Sequence, residues 1–189
     1  EGMFDDYKYK KALNEINRQA QGFERQRMVH NLTTARKILI VFTLNSQEVL
    51  DSVLNLVKYF ESLNITVHAL GYYPQKEVPQ VFTMHPGITI FSKAETNWYG
   101  KPLSSDVEAY INKEYDILID VDFDEVVPVR WISTFSKAKF KLGSQNYLNN
   151  PFDLILTVDK LKGLPYLCEQ VKQVLFKLNN RFADEPHQA

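Results

Sequence analysis

A chain of 189 residues with 44% hydrophobic and 24% charged side chains can bury one sizeable core and is too apolar to be disordered. Its net charge of −1 excludes the electrostatic footprint of a nucleic-acid binder, and no apolar run approaches the ~20 residues that span a bilayer. The single cysteine, Cys168, excludes an intramolecular disulfide and a cysteine-based zinc cage, and sets a reducing, cytoplasmic location as the expectation.

The amino terminus is polar and charged, unlike a signal peptide, and Glu1-Gly2 ahead of Met3 read as a vector-derived remnant. Residues 3 to about 35 have few β-branched side chains, while Leu13, Ile16, Ala20 and Phe23 recur at helical spacing. A long amphipathic helix is expected, with Gly22 placed to break or end it. Its narrow apolar stripe suits docking on the main domain or on a second subunit.

From Arg36 onward short aliphatic runs alternate with helical stretches. KILIVF (37–42), ITVHALGYY (65–73), ITIF (88–91), DILIDV (116–121), KFKLG (139–143) and FDLILTV (152–158) read as strands. Val49, Leu50, Val53, Leu54, Val57 and Phe60 form a helical stripe between the first two. Ser105 with Glu108 has the form of a capping box, and Leu164 to Leu178 form a regular closing helix. Continuous aliphatic strands separated by helices predict a mostly parallel sheet of about six strands covered on both faces, a three-layer, Rossmann-like α/β domain. The division expected is a helical extension over 1–35, the α/β domain over 36–182 and a polar tail over 183–189.

Ligands of open α/β sheets sit beyond the carboxyl ends of the strands. The first such end is TLNSQE (43–48), which holds no glycine, so a dinucleotide fingerprint is missing, and no Walker-type loop occurs elsewhere. Nucleotide cofactors of the usual kinds are disfavoured. Asn45 or Ser46 serves as an N-cap there, and bare helix amides could still hold an anion.

The stretch DILIDVDFDEVV (116–127) is the second such end. If its strand ran past Asp120, then Asp120, Asp122 and Asp124 would share one face, and a hard cation such as Mg²⁺ or Mn²⁺ would relieve their repulsion. The competing reading is structural: Asp124 or Asp122 caps the next helix, Glu125 favours its positive end, and Pro128 sits in its first turn. YDILIDVD (115–122) and FDLILTVD (152–159) share one frame, with Asp116 and Asp153 at strand starts and Asp122 and Asp159 at strand ends. A device used twice favours structure over catalysis, although it also brings Asp122 and Asp159 to one sheet edge.

SKAKFKLG alternates Lys137, Lys139 and Lys141 with apolar residues, as an edge strand protected from pairing would. Its functional alternative is a basic strip facing phosphate or an acidic partner. His30, His68, His85 and His187 form no metal-binding spacing, and His68 reads as a hydrogen-bonded sheet residue. Cys168 falls on an apolar helix face as a small core side chain. Tyr72, Tyr73, Trp98 and Tyr99 lie near strand ends or in loops, where they serve recognition or seal the core.

Across most of the chain, the order KILIVF, YDILID, VP-x-x-W-I, SKAKFKLG, FDLILTVD, LCEQVKQVL resembles an uncharacterised bacterial family known only as a domain of unknown function. Over about 30 residues, YDILID followed by a helix and AK-x-K-x-G (Ala138 to Gly143) is similar to the amino-terminal domain of heptosyltransferase-type enzymes. That resemblance implies a Rossmann-like fold; those enzymes bind their sugar nucleotide mainly through a second domain, for which this chain has no length.

The leading expectation is a non-catalytic binding or interaction domain with no cofactor, which associates with itself through its amino-terminal helix or exposed aromatics and binds neither nucleic acid nor membrane. The rival is a metal-dependent enzyme acting on a phosphorylated or nucleotide-sugar substrate. Asp120, Asp122 and Asp124 would then hold the metal, with Asp159 nearby and Lys139 or Lys141 on phosphate.

Overall fold

The computed structural model describes residues 2–178; the expected polar tail over 183–189 lies outside the described residues. Six parallel strands form one sheet in the order β3-β2-β1-β4-β5-β6. They are β1 (Lys37–Thr43), β2 (Thr66–Tyr73), β3 (Ile88–Ser92), β4 (Ile117–Asp120), β5 (Phe140–Gly143) and β6 (Leu154–Ile155). The helices are α1 (Gly2–Ala20), α2 (Gln47–Ser62), α3 (Ser105–Asn112), α4 (Val127–Phe135) and α5 (Gly163–Lys177). The three-layer, Rossmann-like arrangement expected from the alternating pattern is what forms.

Strand β1 sits at the centre because both of its faces are apolar. Ile38, Ile40 and Phe42 pack with Leu50, Val53 and Phe60 of α2 and with Leu167, Val171 and Leu175 of α5. Leu39 and Val41 pack on the opposite face with Val107 of α3 and with Val129 and Ile132 of α4. Helix α1 adds a local fourth layer by packing on α4, with Ala12 and Ile16 buried. This cover explains why α4 is buried from Pro128 through Thr134.

The amino-terminal helix is shorter than the stretch to residue 35. It ends at Ala20, and the turn at Gln21–Gly22 releases the chain into an extended wrap. Arg25 and Met28 bond the backbone of Lys139, and Leu32 N–H donates to Leu175 O (3.2 Å), before the chain enters β1. The wrap thus crosses the amino-terminal edge of the sheet from the α4 side to the α5 side.

Three local expectations are corrected. FDLILTV forms only a two-residue strand, since β6 pairs Leu142 with Leu154 and Gly143 with Ile155 and then runs out of partner. The capping box is at Ser92 and Glu95, while α3 begins after Ser104 without a side-chain cap. SKAKFKLG is no edge strand: β5 lies between β4 and β6, and Lys141 is fully buried, with Nζ donating to Thr134 O (3.0 Å) near the carboxyl end of α4. Burial, then the charge of Arg25, pushes its amine well below the usual lysine range.

His68 and Cys168 behave as their sequence settings suggest. His68 Nδ1 lies 2.8 Å from the Tyr115 hydroxyl, and burial pushes the Cys168 thiol up to about 11. Gly71 in β2 leaves room for the Phe42 ring: a Cβ there would lie 2.6 Å from Phe42 Cζ and 2.8 Å from Ile90 Cδ1. Gly71→Ala is therefore expected to cost about 1–3 kcal/mol by overpacking, read as a lower urea midpoint at unchanged slope.

Candidate functional site

The strand order reverses between β1 and β4, because the chain proceeds from β1 to β2 and β3 on one side and from β4 to β5 and β6 on the other. This is the switch point at which open α/β sheets open a ligand crevice. Asn45, Ser46, Asp120 and Asp122 all lie at this carboxyl end. Ser46 caps α2 by accepting from Val49 N–H (3.4 Å), while Asn45 is exposed and plays no part in the cap.

Strand β4 stops at Asp120, so the three aspartates do not continue down one strand face. Asp120 points under α4 at 4% exposure, accepting from Ser133 Oγ (3.0 Å) through one oxygen and from Asp122 N–H (3.0 Å) through the other. Burial first, then the charge of Asp122, pushes its carboxyl well above the usual range. Asp122 turns the other way and clasps β1, accepting from Thr43 N–H (2.7 Å) and Thr43 Oγ1 (2.6 Å). Its pKa is pushed up to about 6 by burial, against the lowering effect of the Thr43 bonds. The Asp122 carbonyl accepts from Ser144 Oγ (2.7 Å) and Gln145 Nε2 (2.8 Å), extending the clasp to the chain beyond β5.

The remaining acids go elsewhere. Asp124 is exposed and pairs with Lys160. Glu125 pairs with Arg130 (2.6 Å) and accepts from the Tyr9 hydroxyl of α1 (2.7 Å). Asp159 accepts from Leu161 N–H (2.9 Å), capping a short 3-10 turn. Helix α4 opens at Val126 with no side-chain cap, so neither Asp122 nor Asp124 caps it, although Pro128 does occupy its first turn. Among the described residues, no group of three or more His, Cys, Asp or Glu is placed to hold a metal ion.

Side chains that sequence reasoning passed over complete this bonded cluster. Arg130, 3% exposed, donates to Leu148 O (3.1 Å) and lies 4.1 Å from the Tyr147 ring centroid. The buried Tyr147 hydroxyl and Gln145 Oε1 have no partner among the described residues. An arginine inside the apolar run VPVRWISTF was the available signal, since a buried guanidinium requires nearby acceptors.

The repeated frame splits into two halves. Asp116 accepts from Lys37 N–H (3.0 Å) and Asp153 from Lys141 N–H (2.8 Å), so each ties the start of its strand to the neighbouring strand. At the far ends the copies diverge: Asp122 is an inter-strand clasp and Asp159 a cap.

One other feature gathers at the same sheet edge. The first two turns of α1 leave Met3, Phe4 and Tyr7 exposed, and the Tyr7 ring stacks on Trp98 at 5.8 Å and 16°. Trp98, half exposed, belongs to the loop that follows β3, and Tyr99 meets it edge to face. Tyr72 and Tyr73 instead face the two sides of the sheet at the end of β2.

A profile of a family of unknown function (DUF6913) matches residues 8–178. The chain belongs to that family. The match takes in the clasp at Asp120–Asp122, the frame at Asp116 and Asp153 and most of α1, while Met3, Phe4 and Tyr7 lie ahead of it. No curated protein and no solved structure matches the chain. The likeness to heptosyltransferase-type enzymes gains nothing from these comparisons. No helix among the described residues is long and apolar enough to cross a membrane.

Proposed function

We propose that the protein is a non-catalytic interaction domain that pairs with a second copy of itself through the first turns of α1 and Trp98. The observation that carries this reading is the exposed cluster of Met3, Phe4, Tyr7 and Trp98, since contiguous apolar and aromatic surface on a soluble domain marks an interface. A second copy fits because α1 carries Asp5 and Asp6 followed by Lys8 and Lys10. Two such helices paired antiparallel about a two-fold axis near Tyr7 set Asp6 of each copy against Lys8 of the other.

The carboxyl edge supports the absence of catalysis in this reading. A divalent metal at Asp120, Asp122 and Asp124 would need Asp120 to leave Ser133, Asp122 to release Thr43 and Asp124 to leave Lys160. A solvated, convergent carboxylate set would have favoured the metal-dependent reading; these carboxylates are bonded to protein in three directions.

Native mass of the full chain tests the pairing. Deleting residues 3–32 would be a poor test, since Phe23 packs on Phe135 and Ala12 and Ile16 are buried. Phe4→Glu with Tyr7→Glu touches only exposed side chains. A dimer for the parent chain and a monomer for the double variant is the expected result, and a parent chain that stays monomeric as its concentration is raised sinks the proposal.

A further inference from the structure

A cavity of about 250 Å³ opens beside the carboxyl end of β2, between α1, the loop after β3 and the start of α4. Four features of its wall converge on one chemistry. Tyr72 is 7% exposed, lines the cavity and packs its ring on Phe91 at 5.3 Å, yet its hydroxyl makes no hydrogen bond among the described residues. Lys93 is exposed and unpaired among the described residues, and Lys8 reaches the cavity with its amine over the Phe4 ring. Val127 and Pro128, also in the wall, begin α4, a helix with no side-chain cap. Gly100, at φ +95, lets the loop approach within 3.1 Å of Val127 Cγ1 for a Cβ built there, so this end of the helix is framed tightly. Two acids oppose these amines among the described residues: Asp5 in the wall, and Glu125 just ahead of α4, which is held by Arg130 and by the wall residue Tyr9.

A largely buried tyrosine whose hydroxyl has no acceptor among the described residues, two lysines and the uncapped start of α4 together present donors and positive charge, and they do so at the sheet edge where α/β proteins take ligands. Tyr9, Trp98 and Tyr99 complete the wall with aromatic surface. We infer that this cavity binds a small anion, a phosphate or carboxylate group carried on a planar ring. The anionic group meets Tyr72, Lys93 and the start of α4, and the ring lies against the aromatic wall. Trp98 belongs both to this wall and to the self-pairing surface, whereas Tyr72, Lys93 and the start of α4 lie outside that surface, so the donors do not depend on pairing.

Calorimetric titration of the full chain with phenyl phosphate, benzoate and inorganic phosphate, at ionic strength matched with chloride, tests it. Saturable binding of phenyl phosphate or benzoate is expected, and the tighter of the two assigns the anionic group. Tyr72→Phe keeps the ring against Phe91 and removes only the donor, and Lys93→Gln alters an exposed side chain; each is expected to weaken binding about tenfold, the worth of one hydrogen bond to a charged group. Three results overturn the inference: no saturable response to any of the three anions; unchanged affinity in both variants; or inorganic phosphate binding as tightly as phenyl phosphate, which removes the ring from the assignment.

Discussion

Asp153→Ala is expected to lower stability by about 3–5 kcal/mol, the cost of leaving a buried charge unpaired. Asp153 receives Arg25 through both of its oxygens (2.9 and 2.8 Å), Arg27 (2.6 Å) and the Lys141 N–H (2.8 Å). Arg25 and Asp153 are 10% and 11% exposed, so the alanine strands a guanidinium that water reaches poorly. It also removes the carboxylate that joins the wrap after α1 to β5 and β6, leaving the bonds of Arg25 and Met28 to the backbone ahead of β5. Arg27 is 70% exposed, and Arg27→Ala is expected to cost only about 0–1 kcal/mol, as surface pairs do. Urea unfolding of the two variants makes the comparison. Equal, small losses for both would mean that the wrap is not anchored through Asp153.

The architecture was legible because strands buried on both faces must be continuously apolar, as Ile38–Phe42 of β1 and Ile117–Ile119 of β4 are. Strand order was not legible, since it depends on which crossover lies on which face, and KILIVF and DILID carry no mark of being neighbours. The lysines of β5 misled for a definite reason. Alternating Lys and apolar residues encode a two-sided strand, but not whether the lysine side faces water. Here α4 ends above Lys141, and the Thr134 carbonyl accepts from its amine, so a long apolar stem with one satisfied head can be buried. The acidic stretch was located correctly at the carboxyl edge, and its twin at Phe152–Asp159 pointed rightly to a structural device at the strand starts. The Thr43 and Ser133 partners were out of reach, because they lie 79 and 13 residues away in sequence. Arg130 and Tyr147 were missed because hydropathy periodicity weighs a buried arginine as a surface one.

Asp120→Asn is expected to flatten the fall in stability with rising pH. Burial holds the Asp120 carboxyl well above its usual range, and Asp122 stands at about 6 against an ordinary 3.8. A carboxyl whose folded pKa is raised binds its proton more tightly in the folded state. Its contribution is therefore complete below the unfolded value and is lost as the pH climbs through the folded one. For Asp122 that window runs from 3.8 to about 6, a change on the order of 3 kcal/mol. Asp120, also held well above its usual range by burial, adds to the same loss. Asparagine at 120 still accepts from Asp122 N–H through Oδ1 and can donate to Ser133 Oγ through Nδ2, so both bonds survive without a charge to desolvate. The variant and parent curves of unfolding free energy are expected to converge near about pH 4, with the variant above the parent at about pH 8. A variant less stable than the parent by the same amount at every pH would show that Asp120 is ionised in the folded protein and that its charge, not its shape, holds Ser133 and the start of the Asp122 turn.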